Sequence, residues 1–135
     1  MIEIKTGEKI VGKNRVITQE IINEWADFAQ DHNPLHVDPE YAKTTRFGGT
    51  IAHGPLTLTT LFHMLVAQFK LDFFKDSEVE LKFKSPVRPG DTITAMGNVI
   101  NSTLQPEGTN KIQIEAFCIN QNGEKVIEAG VIVVV

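Results

Sequence analysis

Gly54-Pro55-Leu56-Thr57-Leu58-Thr59-Thr60-Leu61-Phe62-His63-Met64-Leu65-Val66-Ala67-Gln68-Phe69-Lys70 is the stretch on which the fold turns. Its spacing predicts a helix over 54–70, and the apolar residues from Leu56 to Phe69 cover nearly the whole circumference. A helix that is apolar all round belongs inside a protein. Pro55 suits its first turn, where a missing N–H costs nothing. The rest of the chain must therefore supply a wrapping.

That wrapping is legible downstream. Val79, Leu81 and Phe83 alternate with Glu80, Lys82 and Lys84, the pattern of a half-buried strand. Pro86 to Asp91 reads as a bend. Strands follow over 92–100, 111–120 and about 125–135, with Asn122-Gly123 a hairpin signal between the last two. The final Val131-Ile132-Val133-Val134-Val135 predicts a strand buried on both faces or covered by another subunit. Strands that come mainly after the helices, curled around one helix, make an α+β fold. Such a sheet leaves an edge and an apolar face that favour dimerisation.

Upstream, short strands are expected over 2–5 and 13–17. Thr18 is placed to cap a helix carrying Ile21, Ile22, Trp25, Phe28 and Ala29 on one stripe. That helix ends near Gln30 and delivers Asp31. Asp38-Pro39 is a start signal for a further short helix, and Gly48-Gly49 permits a sharp change of direction before the central helix.

Between the two helices lies Asp31-His32-Asn33-Pro34-Leu35-His36. Proline fixes its own φ and biases Asn33 away from helix, so the segment reads as a rigid turn that holds a carboxylate near an imidazole. Acid–base chemistry needs such fixed placement. The carboxylate of Asp31 would face the negative end of the preceding helix, which disfavours its charge in the direction a general base needs. Asn33 is expected to brace the turn by hydrogen bonds to backbone. Taken alone, these residues have plainer readings, Asp31 as a helix-ending residue and His36 as a satisfied turn histidine.

With 135 residues, 41% of them apolar and 22% charged, the chain is read as one globular domain over 1–135. A net charge of −4 argues against a nucleic-acid partner. Met1 to Lys5 carries no signal-like apolar run and 54–70 is too short and interrupted for a bilayer, so a cytoplasmic protein without membrane contact is expected. The single cysteine, Cys118, has no internal disulfide partner and sits in an alternating pattern, as a small sheet or core residue would. Four histidines lack a metal-ligand spacing, so no metal site is expected.

The ordered set Asp31-x-Asn33-Pro34-Leu35-His36, then Phe47-Gly48-Gly49-x-Ile51-Ala52-His53-Gly54, then Phe83-x-Ser85-Pro86-Val87-x-Pro89-Gly90-Asp91, resembles the MaoC-like or R-specific enoyl-CoA hydratase family. Gln30 stands where that family often has glycine, and Pro55 where it often has methionine. The resemblance implies a hot-dog fold, a long helix wrapped by an antiparallel sheet. It also implies reversible hydration of a trans-2-enoyl thioester to a (3R)-hydroxyacyl thioester. Asp31 and His36 would activate water, and the Gly54 N–H would polarise the thioester carbonyl. Gly54 and Asn33 are the expected substrate-side residues. No cofactor is implied beyond coenzyme A or acyl carrier protein as part of the substrate, and a homodimer or larger homo-oligomer is expected. His53 reads as structural, orienting the loop before the central helix. His32 reads as a solvated turn residue and His63 as a helix-face residue. Lys43, Arg46, Lys82, Lys84 and Arg88 are candidates for coenzyme A phosphates, with a solvated charged face the plainer account of most. Thioester hydrolysis and a non-catalytic acyl-thioester binding module are the competing functions.

Overall fold

The structure, a computed structural model, describes residues 4–135. In chain order the elements are β1 (Lys9–Val11), β2 (Arg15–Ile17), α1 (Gln19–Ala29), α2 (Pro34–Val37), α3 (Pro39–Ala42), α4 (Gly54–Phe69), a 3-10 turn (Lys70–Phe74), β3 (Ser77–Phe83), β4 (Asp91–Leu104), β5 (Asn110–Ile119) and β6 (Lys125–Val134). All strand pairings are antiparallel, in the order β1-β4-β5-β6-β3, with β2 also on β4. β4 is long enough to pair with both short N-terminal strands on one side and β5 on the other.

α4 packs against β1, β4 and β5. The sheet's inner face supplies Ile93, Ala95 and Val99 from β4, Ile112, Ile114, Ala116 and Cys118 from β5, and Ile127, Ala129, Val131 and Val133 from β6. The helix answers with Leu56, Leu61, Met64, Leu65 and Phe69. Burying side chains of this size contributes roughly 1.5–3 kcal/mol each, so this contact outweighs any local propensity. Close approach is enforced at Gly97, where a Cβ would lie 3.0 Å from Ile114 Cγ2 and 3.5 Å from Met64 Cε. This is the sheet-wrapped helix that the alternation and the apolar helix predict, and the hot-dog fold that the resemblance implies.

Several expectations are corrected. Ile4 and Lys5 are not strand, and residues 2–3 lie outside the described residues; the first strand is Lys9–Val11. The second is shorter than 13–17. Asn33 to His36 does more than turn: Pro34 opens one helical turn, α2. The central helix is not sealed all round, because His63 and Ala67 are exposed and Leu58, Phe62 and Val66 half-buried. Phe28, placed on the apolar stripe of α1, is 82% exposed. Within one protomer the last strand alternates, with Val131 and Val133 buried and Ile132 and Val134 partly open, so this chain alone does not bury both of its faces.

Cys118 is on the inner face, and burial pushes its thiol from the ordinary 9.0 up to about 12. The fold thus favours the neutral thiol. The stability this group contributes is present below its unfolded pKa near 9.0 and is lost as pH rises towards about 12. Iodoacetamide is expected to leave Cys118 unlabelled in the folded protein at neutral pH and to label it after denaturation, as read by mass spectrometry. Equal labelling in both states would contradict the burial.

Among the described residues, no helix is long and apolar enough to cross a membrane.

Candidate active site

The site begins where α1 stops. Thr18 Oγ1 accepts the Ile21 N–H at 3.1 Å and starts the helix. Gln30 ends it in the left-handed conformation, φ 54°, and its own N–H is bonded to the Ala26 carbonyl. Glycine adopts that conformation without penalty, whereas a residue with a Cβ bears strain of order 1 kcal/mol. Gln30 thus adopts a conformation that glycine takes freely, and the Asp31 N–H also reaches the Ala26 carbonyl, at 3.0 Å.

Asn33 caps α2, its Oδ1 accepting the Leu35 N–H at 3.0 Å, while Asp31 Oδ1 accepts the Asn33 N–H at 3.3 Å. The turn is clamped from outside as well. Gln19 donates through Nε2 to the His36 carbonyl at 2.9 Å and accepts at Oε1 from the buried Thr50 hydroxyl at 2.7 Å. His36 Nδ1 lies 2.8 Å from the Ile51 carbonyl. A carbonyl only accepts, so Nδ1 carries the proton, and in the neutral ring Nε2 presents its lone pair.

Asp31, His36 and His53 each bring one nitrogen or carboxylate oxygen to within 4.8 Å of the others. Two hydrogen bonds of about 2.8 Å through one water span up to about 5.6 Å, so the separation of Asp31 and His36 is one that a single water can bridge. A metal is less well served. The rings of His36 and His53 are stacked, with centroids 3.9 Å apart and planes 30° apart, and each commits one ring nitrogen to a backbone carbonyl, which leaves one nitrogen per ring for an ion.

Beside this pair is a cavity of about 360 Å³. His36, Ile51, Ala52, Gly54, Thr57 and Phe83 line its inner part, and Arg46 and Lys84 are the cations on its wall. Gly54 is the first residue of α4, whose N-terminus carries no side-chain cap. Unsatisfied N–H groups and the helix dipole make that end positive. A wider depression of about 730 Å³ on the outer face of the sheet holds none of these residues, being lined by groups such as Glu80, Lys82, Glu115 and Glu128. Chemistry selects the smaller cavity.

Of the predicted site residues, His36 and Gly54 line the cavity and Asp31 lies close to His36. Asn33, expected on the substrate side, is exposed and outside the cavity lining, where it caps α2. Asp31 is solvent-exposed and does not line the cavity. Of the five candidate cations, Arg46 and Lys84 border the cavity; Lys43 pairs with Glu40 at 3.2 Å, and Lys82 lies on the outer sheet face. Arg88 instead approaches Gly49. His32 is exposed and holds Asp27 at 2.8 Å. Phe69 and Phe73 are buried in the core, Phe62 packs against it and Phe74 is exposed, so none of the four lines the cavity. Sequence reasoning missed Gln19, Thr57, Phe83 and the Ile51 carbonyl, for which no local signal exists because each acts across the fold.

Residues 3–116 match a family model described as a MaoC like domain. The chain is 32% identical over 120 residues to the 3-hydroxyacyl-thioester dehydratase Z of Mycobacterium tuberculosis, covering 81% of this chain and 80% of that protein. It is 36% identical over 105 residues to an (R)-specific enoyl-CoA hydratase of Rhodospirillum rubrum, covering 78% and 71%. The solved MaoC-like dehydratase from Rhodospirillum rubrum superposes with a TM-score of 0.82 at 26% identity, over 98% of this chain and 92% of that one. With a family model spanning most of its residues and relatives this similar along most of their length, the chain belongs to the MaoC-like family of hydratases and dehydratases.

Proposed function

We propose that the protein catalyses reversible hydration of a trans-2-enoyl thioester to a (3R)-hydroxyacyl thioester. One observation carries the reading: a carboxylate oxygen of Asp31 and a ring nitrogen of His36 within 4.8 Å of each other, beside a cavity that reaches the uncapped N-terminus of a long helix at Gly54. The thioester class and the R configuration rest on the names of the relatives.

In the hydration direction, water donates one O–H to the Asp31 carboxylate and the other to His36 Nε2. Both protons are then held and the oxygen lone pairs are turned towards C3. As the C3–O bond forms, the C2–C3 π electrons move towards the thioester oxygen and one of the pair takes a proton from water. The pair returns a proton to C2, so atoms balance without a co-reactant. Charge on the thioester oxygen is met by the Gly54 N–H and the helix dipole. Pro55 cannot donate, which concentrates that role on Gly54. Asn33 keeps the turn in register, and Arg46 and Lys84 offer positive charge to a phosphorylated carrier, coenzyme A or acyl carrier protein.

The working unit is proposed as a homodimer. β3 is an edge strand, and Phe83 on it, with Phe74 and Leu71 just before it, is more than half exposed. Purified protein and crotonyl-CoA test the activity. Loss of the enoyl absorbance with formation of 3-hydroxybutyryl-CoA is expected; release of free thiol without hydration would replace this reading with thioester hydrolysis.

A further inference from the structure

We infer that His53 is a positioning residue of the Asp31–His36 pair, acting through both partners at once; the inference rests on the hydration reading. His53 is 1% exposed, deeper than is usual for an imidazole. Its Nε2 lies 3.0 Å from the Asp31 carbonyl oxygen, so Nε2 carries the proton and donates it. Its ring is stacked on His36 at 3.9 Å. It immediately precedes Gly54 and is the N-cap residue of α4, although its side chain makes no cap bond there. One buried side chain therefore touches the backbone that carries the carboxylate, supports the plane of the imidazole, and is covalently joined to the glycine that meets the thioester.

The remaining ring atom sharpens the point. Nδ1 of His53 is buried without a hydrogen-bond partner. An unpaired buried acceptor costs free energy that an apolar side chain would not. A residue kept only for packing has a better solution at this position; a residue needed for its Nε2–H and its flat face does not. The stack and the Ile51 bond together restrain the His36 ring, which leaves Nε2 as the nitrogen available to the proposed water. Misplacement of a reacting group by about 1 Å can cost about 10²-fold, so loss of either support is read in kcat.

Two substitutions separate the supports. His53→Phe keeps a flat ring against His36 and removes the donor to Asp31; His53→Gln keeps a donor and removes the ring. Each is expected to lower kcat by about 10–10²-fold with KM little changed. A purely structural role would lower the melting temperature while leaving kcat per folded molecule intact, and that result overturns the inference. The wild-type protein gives a reading independent of both folding of the variants and activity. Nitrogen-15 NMR of the histidine rings should show His36 protonated at Nδ1 and His53 at Nε2, each as one fixed tautomer. Tautomers that exchange or are reversed would overturn the positioning role. Fixed tautomers in a protein inactive on every enoyl thioester would instead remove the hydration reading and leave the geometry standing.

Discussion

Asp31→Asn and His36→Asn are each expected to lower kcat by about 10²–10⁴-fold, the usual contribution of general acid–base groups, with the fold intact. Both replacements are chosen to spare structure. Asparagine at 31 retains an oxygen to accept the Asn33 N–H but removes the negative charge that draws a proton from water. Asparagine at 36 can still donate to the Ile51 carbonyl through its amide, whereas alanine would leave that carbonyl unpaired. What is lost at 36 is the Nε2 lone pair, together with the ring stacked on His53. KM should change little, because neither group is assigned to the thioester carrier.

The double variant sharpens the test. If the two side chains hold one water between them, removing either destroys the same arrangement, and the double should be hardly slower than the worse single. Independent, multiplying losses would mean that they act on separate steps. Circular dichroism and thermal melting establish that the proteins are folded. A single variant within a few-fold of the wild type would remove that residue from the chemistry.

What was legible in the chain divides along physical lines. The helix 54–69 and the strands β3 to β6 declare themselves because their apolar periods of 3.6 and 2 persist over many residues. Thr18 and Asp38 are caps whose partners lie within three residues: Thr18 Oγ1 holds Ile21, and Asp38 Oδ1 holds Glu40 and Tyr41. Caps of this kind are readable because both partners lie in one short stretch. β1 was not, since Lys9-Ile10-Val11 buries only Ile10 and three residues cannot display a period. Phe28 misled for the opposite reason: it has the right spacing, but no element of the chain covers it. In the site, the Asp31-to-His36 turn was visible from Asn-Pro, whereas the clamps on it come from far along the chain. Gln19 reaches back from α1 and the Ile51 carbonyl arrives from the loop before α4. His53 shows the limit most clearly. A histidine before a glycine has no pattern of its own, and only the folded chain reveals that it is buried against His36.

Gly54→Ala is expected to lower kcat/KM by about 10²–10³-fold, comparable to loss of one donor to a developing oxyanion. The fold should tolerate it. A Cβ at this position would lie 3.0 Å from Phe83 Cζ and 3.2 Å from Cε1, the end of a flexible side chain that need give by only a few tenths of an ångström. Alanine also has the better helix propensity. The damage lies on the cavity side, where a methyl group stands between the first N–H of α4 and an approaching carbonyl oxygen. With Pro55 next in the chain, the adjacent N–H that would share the load is missing. Gly130→Ala serves as the control, since a Cβ there meets nothing within 4 Å, and should leave activity unchanged. The sharper comparison adds Phe83→Ala. If Gly54→Ala acts by displacing the Phe83 ring, the double variant Gly54→Ala/Phe83→Ala should regain activity. If it acts on the oxyanion, the double variant stays as slow as Gly54→Ala, which is the outcome expected here. Recovery in the double variant would move the carbonyl contact away from Gly54.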